Sequence, residues 1–163
     1  MRTLVLSDTH LADAVGLPLA VLRAAEAADH IVHAGDLSVF DVVEVLRQFA
    51  PVTAVHGNIE QGDVFDRVPS TATVELDGVL LAVVHDSGAT TGRYERLERQ
   101  FPSCGVIVYG HSHMPEATRS DSGVWILNPG SPTQKRRAPF HSIAWLETRD
   151  GAVVSAEIVD IEA

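Results

Sequence analysis

The side chains able to do chemistry in this chain are carboxylates and imidazoles at short spacing: Asp8 and His10, Asp36, His85, and His111 with His113, joined by Asn58. Oxygen and nitrogen donors without a thiolate suit Mn, Fe, Zn, Ni or Co better than Ca or Mg. Two aspartates, one asparagine and four histidines exceed the ligand shell of a single zinc ion. They match two divalent ions sharing a bridging carboxylate. Taken singly, an Asp-x-His or a Gly-Asp occurs by chance, and a lone histidine is more often a surface or core residue than a ligand. The ordered set carries the argument.

Each donor follows an apolar run, so the elements that must position the set can be located. The hydrophobic pattern predicts strands over 3–7, 30–34 and 52–55 alternating with helices over 15–28 and 39–49, a β-α-β-α-β opening that favours parallel pairing. From Thr71 the pattern becomes a hairpin turning at Asp77-Gly78 into a strand over 79–84. A helix over 91–101 and strands over 106–109, 124–127, 142–147 and 153–158 follow, the last two joined through Asp150-Gly151. The second half is expected to be mainly antiparallel. The whole is expected to be an α/β fold, two sheets face to face with helices on the outer faces. The donors then fall at strand C-terminal ends, the edge where open α/β sheets bind ligands. Within Asp8/His10 and His111/His113 the two-residue spacing places both donors on one side of an extended chain. Gly35, Gly57 and Gly110 precede three of the donors and allow close backbone approach.

Composition narrows the function classes. With 163 residues, 45% of them hydrophobic, and no repeat or linker-like run, a single domain over residues 1–163 is expected. Cys104 is the one cysteine, which excludes an intrachain disulfide and a thiolate zinc cluster and points to a reducing, cytoplasmic setting. The apolar run at the N-terminus is too short for a signal peptide, and no run reaches the ~20 apolar residues of a membrane span. Twelve Lys and Arg against 22 Asp and Glu give a net charge of −10. That field repels nucleic acid, so stable nucleic-acid binding is not expected.

The segments Ser7-Asp8-Thr9-His10, Gly35-Asp36, Gly57-Asn58, His85, Gly110-His111-Ser112-His113 and Asn128-Pro129-Gly130-Ser131-Pro132 together resemble the calcineurin-like metallophosphoesterase superfamily. The likeness is greatest to its small bacterial and archaeal branch of manganese-dependent phosphodiesterases, and it spans residues 4–137. It implies a four-layer α-β-β-α sandwich of two mixed sheets. It also implies that Asp8, His10, Asp36 and His113 hold one metal, and Asp36, Asn58, His85 and His111 a second, with Asp36 bridging. The implied cofactors are two divalent ions, Mn2+ first, with Ni2+, Zn2+, Fe2+ and Co2+ as alternatives. The implied reaction is in-line attack on a small phosphoester by a hydroxide shared between the ions, which also clamp the phosphoryl oxygens. Asn58 doubles as a substrate contact in this scheme. Cations reverse the global negative field locally, so an anionic substrate is compatible with the net charge. Family analogy also implies a homodimer.

Several positions depart from the family pattern. Gly-Asn is usually followed by His and an acid, or in the small bacterial branch by Cys and Asp; here Ile59 and Glu60 stand there. Isoleucine donates no proton, so the leaving oxygen loses its acid. His56 is either a replacement acid or an ordinary polar residue at a strand end. His85 lacks its usual following glycine, and Asp86 either orients a ligand histidine or is a solvated turn residue. In Lys135-Arg136-Arg137, Arg136 and Arg137 either fork onto a substrate phosphate or form a solvated loop. Arg93, Arg96 and Arg99 are expected on the exposed face of the third helix. His33 is either a support for the site or a half-buried strand residue. His30 and His141 are taken as structural, Trp125 and Trp145 as core, and Cys104 as inert. Loops over 61–70 and 88–93 would set specificity. A second function class is a phosphoesterase fold used as a protein-binding scaffold, as in the retromer subunit that resembles this family. Such scaffolds tend to lose ligands, and this chain keeps all seven.

Overall fold

The near-continuous apolar run of β1 (Arg2–Leu6) is buried from Thr3 onward, as expected of a strand covered on both faces. In the computed structural model, which describes residues 1–162, β1 is the middle strand of a five-stranded sheet. On one side it runs parallel to β2 (His30–His33), with Val5 opposite Val32, and β2 runs parallel to β3 (Val52–Ala54). On the other side it pairs antiparallel with β9 (Ser142–Arg149), and β9 with the edge strand β10 (Ala152–Asp160). The chain's last strands therefore return to the first sheet rather than extending a second-half sheet.

The second sheet has the order β4 (Thr71–Leu76), β5 (Val79–Val84), β6 (Val106–Val108), β8 (Trp125–Asn128), β7 (Glu116–Arg119). It is not mainly antiparallel. Its outer pairs are antiparallel, but β5, β6 and β8 run parallel. For β5 and β6 the reason is the crossover through α4 (Arg93–Gln100), because a strand-helix-strand connection returns the chain in the same direction. β8 runs parallel to β6 because the chain first passes out to the edge strand β7 and turns back antiparallel to it. The strand β7 was not foreseen in a Glu-Ala-Thr-Arg stretch, nor was the one-turn helix α3 (Val64–Arg67) inside the expected 61–70 loop. The first helix, α1 (Leu19–Glu26), begins after Pro18, whose ring favours a helix start. The residues before it form a short 3-10 turn, Ala14–Gly16, capped by Asp13. The second helix, α2 (Asp41–Leu46), is also shorter than expected.

Three apolar layers hold these parts together. Val5, Val32 and Leu146 of the first sheet pack against Leu81, Val106 and Leu127 of the second. Val21 and Ala25 of α1 and Val42 and Leu46 of α2 cover Leu4, Leu6 and Ile31 on one outer face. Leu97 of α4 covers Ala82, Ile107 and Ile126 on the other. The result is a four-layer α-β-β-α sandwich. Trp145 and Trp125 sit half-buried at the margins of these layers, Trp145 beneath the Arg2 guanidinium at 3.8 Å. Burial pushes the Cys104 thiol up, so it stays protonated. Among the described residues no helix is long and apolar enough to cross a membrane.

Candidate metal centre

The C-terminal ends of β1, β2, β3, β5 and β6 open onto one rim, and the loops leaving them carry Asp8 and His10, Asp36, Asn58, His85, and His111 and His113. The paired donors do not sit on extended chain, as their spacing suggested. Asp8 (φ 55°), His10 (46°), Asp36 (54°), His111 (67°) and His113 (58°) all adopt left-handed backbone. Such a conformation costs a non-glycine residue about 1 kcal/mol or more and persists only where the surroundings impose it. Here the Asp8 N–H donates to Gly35 O at 2.9 Å and the His10 N–H to Asp36 O at 3.0 Å. From the opposite side, the Ser131 hydroxyl donates to Asp8 O at 2.7 Å and the Thr133 hydroxyl to Thr9 O at 2.6 Å. Two glycines permit the crowding: a Cβ at Gly57 would overlap the Asp36 carboxylate, and one at Gly110 would overlap Ser7 Oγ.

Asp36 faces two separate groups of donors. Its Oδ2 lies 3.4 Å from His10 Nε2, and its Oδ1 lies 3.3 Å from His85 Nε2. On the first side, His113 Nε2 is 3.2 Å from Asp8 Oδ1 and 3.1 Å from His10 Nε2. On the second side, His85 Nε2 is 3.1 Å from Asn58 Oδ1. Asp8 stands close to both sides, within 4.8 Å of His10 and His113 and of Asp36 and His85. His111 is exposed and lies outside these close groups, its ring 5.2 Å from that of His85. Its N–H donates to Asp8 Oδ2 at 3.0 Å.

The donors fit a pair of divalent ions by their hydrogen bonding as well as their distances. Asp8 Oδ1 is buried without a hydrogen-bond partner, an arrangement that is costly unless a cation or proton donor meets it. The carbonyl of Ala34 accepts from His85 Nδ1 at 2.7 Å, and that of Gln134 accepts from His113 Nδ1. A carbonyl partner fixes the proton on Nδ1 and leaves the Nε2 lone pair facing the cluster, the tautomer a metal requires. Burial would raise the Asp8 carboxyl, but the neighbouring His10 and His113 imidazoles and the Ser7 hydroxyl outweigh it and hold Asp8 well below the usual carboxylate range. Asp36 is likewise lowered against its burial, by His85 and the Asn58 N–H. For His85 burial is outweighed by Asp36 and Asp8, and its pKa is raised.

A model of the calcineurin-like phosphoesterase superfamily domain matches residues 1–151. The chain belongs to that superfamily. A probable metallophosphoesterase of Methanocaldococcus jannaschii is 32% identical over 97% of this chain and 80% of its own length. Another, from Methanothermobacter thermautotrophicus, is 33% identical over 95% of this chain and 90% of its own. The fold of a Vps29 from Entamoeba histolytica, solved in complex with zinc, superposes with a TM-score of 0.76 at 21% identity, covering 98% of this chain and 99% of that one.

Further residues of this phosphoesterase brace the rim; for His33 the reading as a support for the site holds, while the partners of Glu60, Asn128, Arg93 and Arg96 were not foreseen. Glu60 is buried and its carboxylate accepts from the N–H groups of Leu37 (3.2 Å), Ser38 (2.7 Å) and Gly57 (2.7 Å). It ties the Asp36 loop to the Asn58 loop. Asn128 ties the loop after β6, its amide donating to Gly110 O at 3.1 Å and to Ser112 Oγ at 3.0 Å. His33 supports the site: its Nε2 lies 3.2 Å from Thr9 Oγ1 and its Nδ1 accepts the Gly35 N–H at 3.3 Å. Burial pushes its pKa down to about 3, so the ring is neutral. Arg93 and Arg96 do not line an exposed helix face. Arg93 donates to Tyr109 Oη at 2.8 Å beside Glu116, which also accepts from Tyr94 and Tyr109. Arg96 donates to Ser87 O at 2.6 Å and closes the loop before α4.

His56 is not brought into the donor groups. Its Nδ1 bonds Gly57 O at 2.9 Å and its ring meets Phe65 edge-on. Asp86 is a turn residue, accepting from the Gly88 N–H at 2.7 Å. His30 bonds Thr53 and His141 pairs with Glu162, both away from the site. Arg136 and Arg137 line a cavity that includes His111.

Proposed function

We propose that the protein is a two-metal phosphodiesterase. The observation that carries this reading is the Asp36 carboxylate, whose two oxygens each face a different imidazole-bearing donor group. Two divalent ions, when bound, neutralise charge on phosphoryl oxygens and lower the pKa of coordinated water. The likeness to probable metallophosphoesterases supports the phosphoester substrate. Asp8, His10 and His113 would hold one ion, and Asn58, His85 and His111 the other, with Asp36 shared. Mn2+ is the proposed native metal.

The chain's own residues do the positioning. His85 and His113 present Nε2 because backbone carbonyls hold Nδ1. Asn58 stands exposed at the rim, where its amide can also meet a phosphoryl oxygen. Ile59 has its N–H 3.3 Å from Asp36 Oδ1, so an apolar side chain stands beside the bridging carboxylate where an acid would protonate the departing oxygen. Turnover of esters with poor leaving groups is therefore slow and that of esters with good ones is less affected. The net charge of −10 favours singly charged diesters over dianionic monoesters.

The test is hydrolysis of bis(p-nitrophenyl) phosphate and p-nitrophenyl phosphate by chelator-stripped protein reloaded separately with Mn, Ni, Zn, Co and Mg. Metal-restored diester cleavage that exceeds monoester cleavage is expected. Asp36→Asn is expected to abolish turnover and weaken metal loading; retained turnover in that variant would overturn the assignment. Two ions bound with no ester cleaved would favour a protein-binding scaffold, the second reading, which the likeness to the Vps29 fold supports.

A further inference from the structure

Beside His111 the rim opens into a cavity of about 550 Å³ lined by His111, Ser112, Met114, Arg136 and Arg137. The turn that carries the two arginines is tied down. The Ala138 N–H donates to Lys135 O at 2.8 Å, the Gln134 N–H to Ser131 Oγ at 2.9 Å, and the Lys135 ammonium folds back onto Pro139 O at 3.3 Å. Arg136 is held at φ 51°, left-handed backbone that a side chain adopts only under constraint. Lys135 is thereby withdrawn into its own turn. Arg136 and Arg137 are exposed at the cavity, and among the described residues neither guanidinium has a hydrogen-bond or ion-pair partner. Two exposed guanidinium groups lining one cavity attract an anion and offer it forked hydrogen bonds. Met114, 45% exposed, adds a polarisable thioether suited to a flat ring. The cavity thus offers an anion site and a ring site next to a candidate metal ligand.

We propose that this cavity is a nucleotide subsite. Resting on the phosphodiesterase reading above, it receives the nucleoside of a short nucleotide diester that carries a further terminal phosphate. The ring lies on Met114 and the terminal phosphate on Arg136 and Arg137, while the scissile phosphate lies at the donor cluster. The volume falls in the range of about 300–1,000 Å³ that holds one small ligand, and the overall negative charge disfavours a long polyanion. The substrate class is therefore a phosphorylated mono- or dinucleotide ester rather than a polynucleotide.

The experiment titrates the Mn-loaded full chain calorimetrically with adenosine 5′-monophosphate, adenosine 3′,5′-bisphosphate and inorganic phosphate. The bisphosphate is expected to bind about tenfold or more tighter than the monophosphate, the contribution of charged hydrogen bonds. Arg136→Ala/Arg137→Ala should erase that difference, and Met114→Ala should weaken both nucleotides relative to inorganic phosphate. Equal affinity for the two nucleotides in the unaltered protein, or a difference that survives the double substitution, overturns the subsite. Circular dichroism checks that the variants are folded. Parallel assay of bis(p-nitrophenyl) phosphate separates the two readings. Arginine-dependent preference for the bisphosphate without diester cleavage refutes the phosphodiesterase and keeps the subsite, and cleavage without preference does the reverse.

Discussion

At Ile59 the sequence departs from its family by one functional group, and the consequence is testable at that residue. Ile59→His places a proton donor next to the Asp36 carboxylate, so hydrolysis should rise most for alkyl phosphodiesters, whose leaving groups are poor, and least for nitrophenyl esters. Measured kcat on a leaving-group series checks this; a uniform change across the series would argue against a missing acid. Glu60 makes a different prediction. It satisfies three backbone N–H groups from two loops, and Glu60→Gln replaces charged acceptors with a neutral amide. The loss should be about 1–3 kcal/mol in urea unfolding, with weaker Mn binding by titration. The candidate ligands were legible because donor types recur after apolar runs. Glu60 was legible only as a departure, because two of its three backbone partners lie more than 20 residues away, and nothing in a linear pattern displays such partners. His33 was left open for the same reason: its burial and its contact with Thr9 come from packing.

Strands and their crossovers show where pattern reading stops. The apolar runs that became β1, β2, β5 and β6 were placed to within a residue or so, since fully buried strands advertise themselves. β7 was invisible because an edge strand of Glu, Ala, Thr and Arg, half-buried along most of its length, has no apolar period to detect. The helix between β5 and β6 was foreseen but its directional consequence was not, which is why the second sheet was expected to be mainly antiparallel. The tight seating of the β6 loop against the β1 loop yields a prediction at this scale. A Cβ at Gly110 meets Ser7 Oγ and comes within 2.9 Å of Asp8 Oδ2, so Gly110→Ala should force the two loops apart. The expected outcome is a loss of about 1–3 kcal/mol by denaturation, with metal binding weakened in the fraction that folds.

For the molecule as a whole, the four-layer arrangement was legible from strand count and family likeness, whereas the return of the last two strands to the first sheet was not. The folded protein also carries its own acid sensitivity. His33 is pushed from 6.5 down to about 3, so between those values the unfolded chain binds a proton that the folded chain refuses. The His33 contribution is therefore full above pH 6.5 and falls as the pH drops toward 3, whereas that of His85, whose pKa is raised, is full throughout this window and is lost only as the pH rises above it. His30, lowered by burial, adds with the same sign, while the lowered Asp8 and Asp36 contribute losses only below their ordinary value of 3.8. The urea midpoint of metal-free protein should decline across that window, and His33→Gln should flatten the decline. The order of strands in the first sheet has a consequence during synthesis. β1 can meet β2 as soon as residue 33 has left the ribosome, but its other edge waits for Ala144 to pair with Val5. Every candidate metal ligand, from Asp8 to His113, is thus translated before the frame that aligns it is closed. A nascent chain stalled short of Ser142 would carry the complete donor set on a central strand still open along one side.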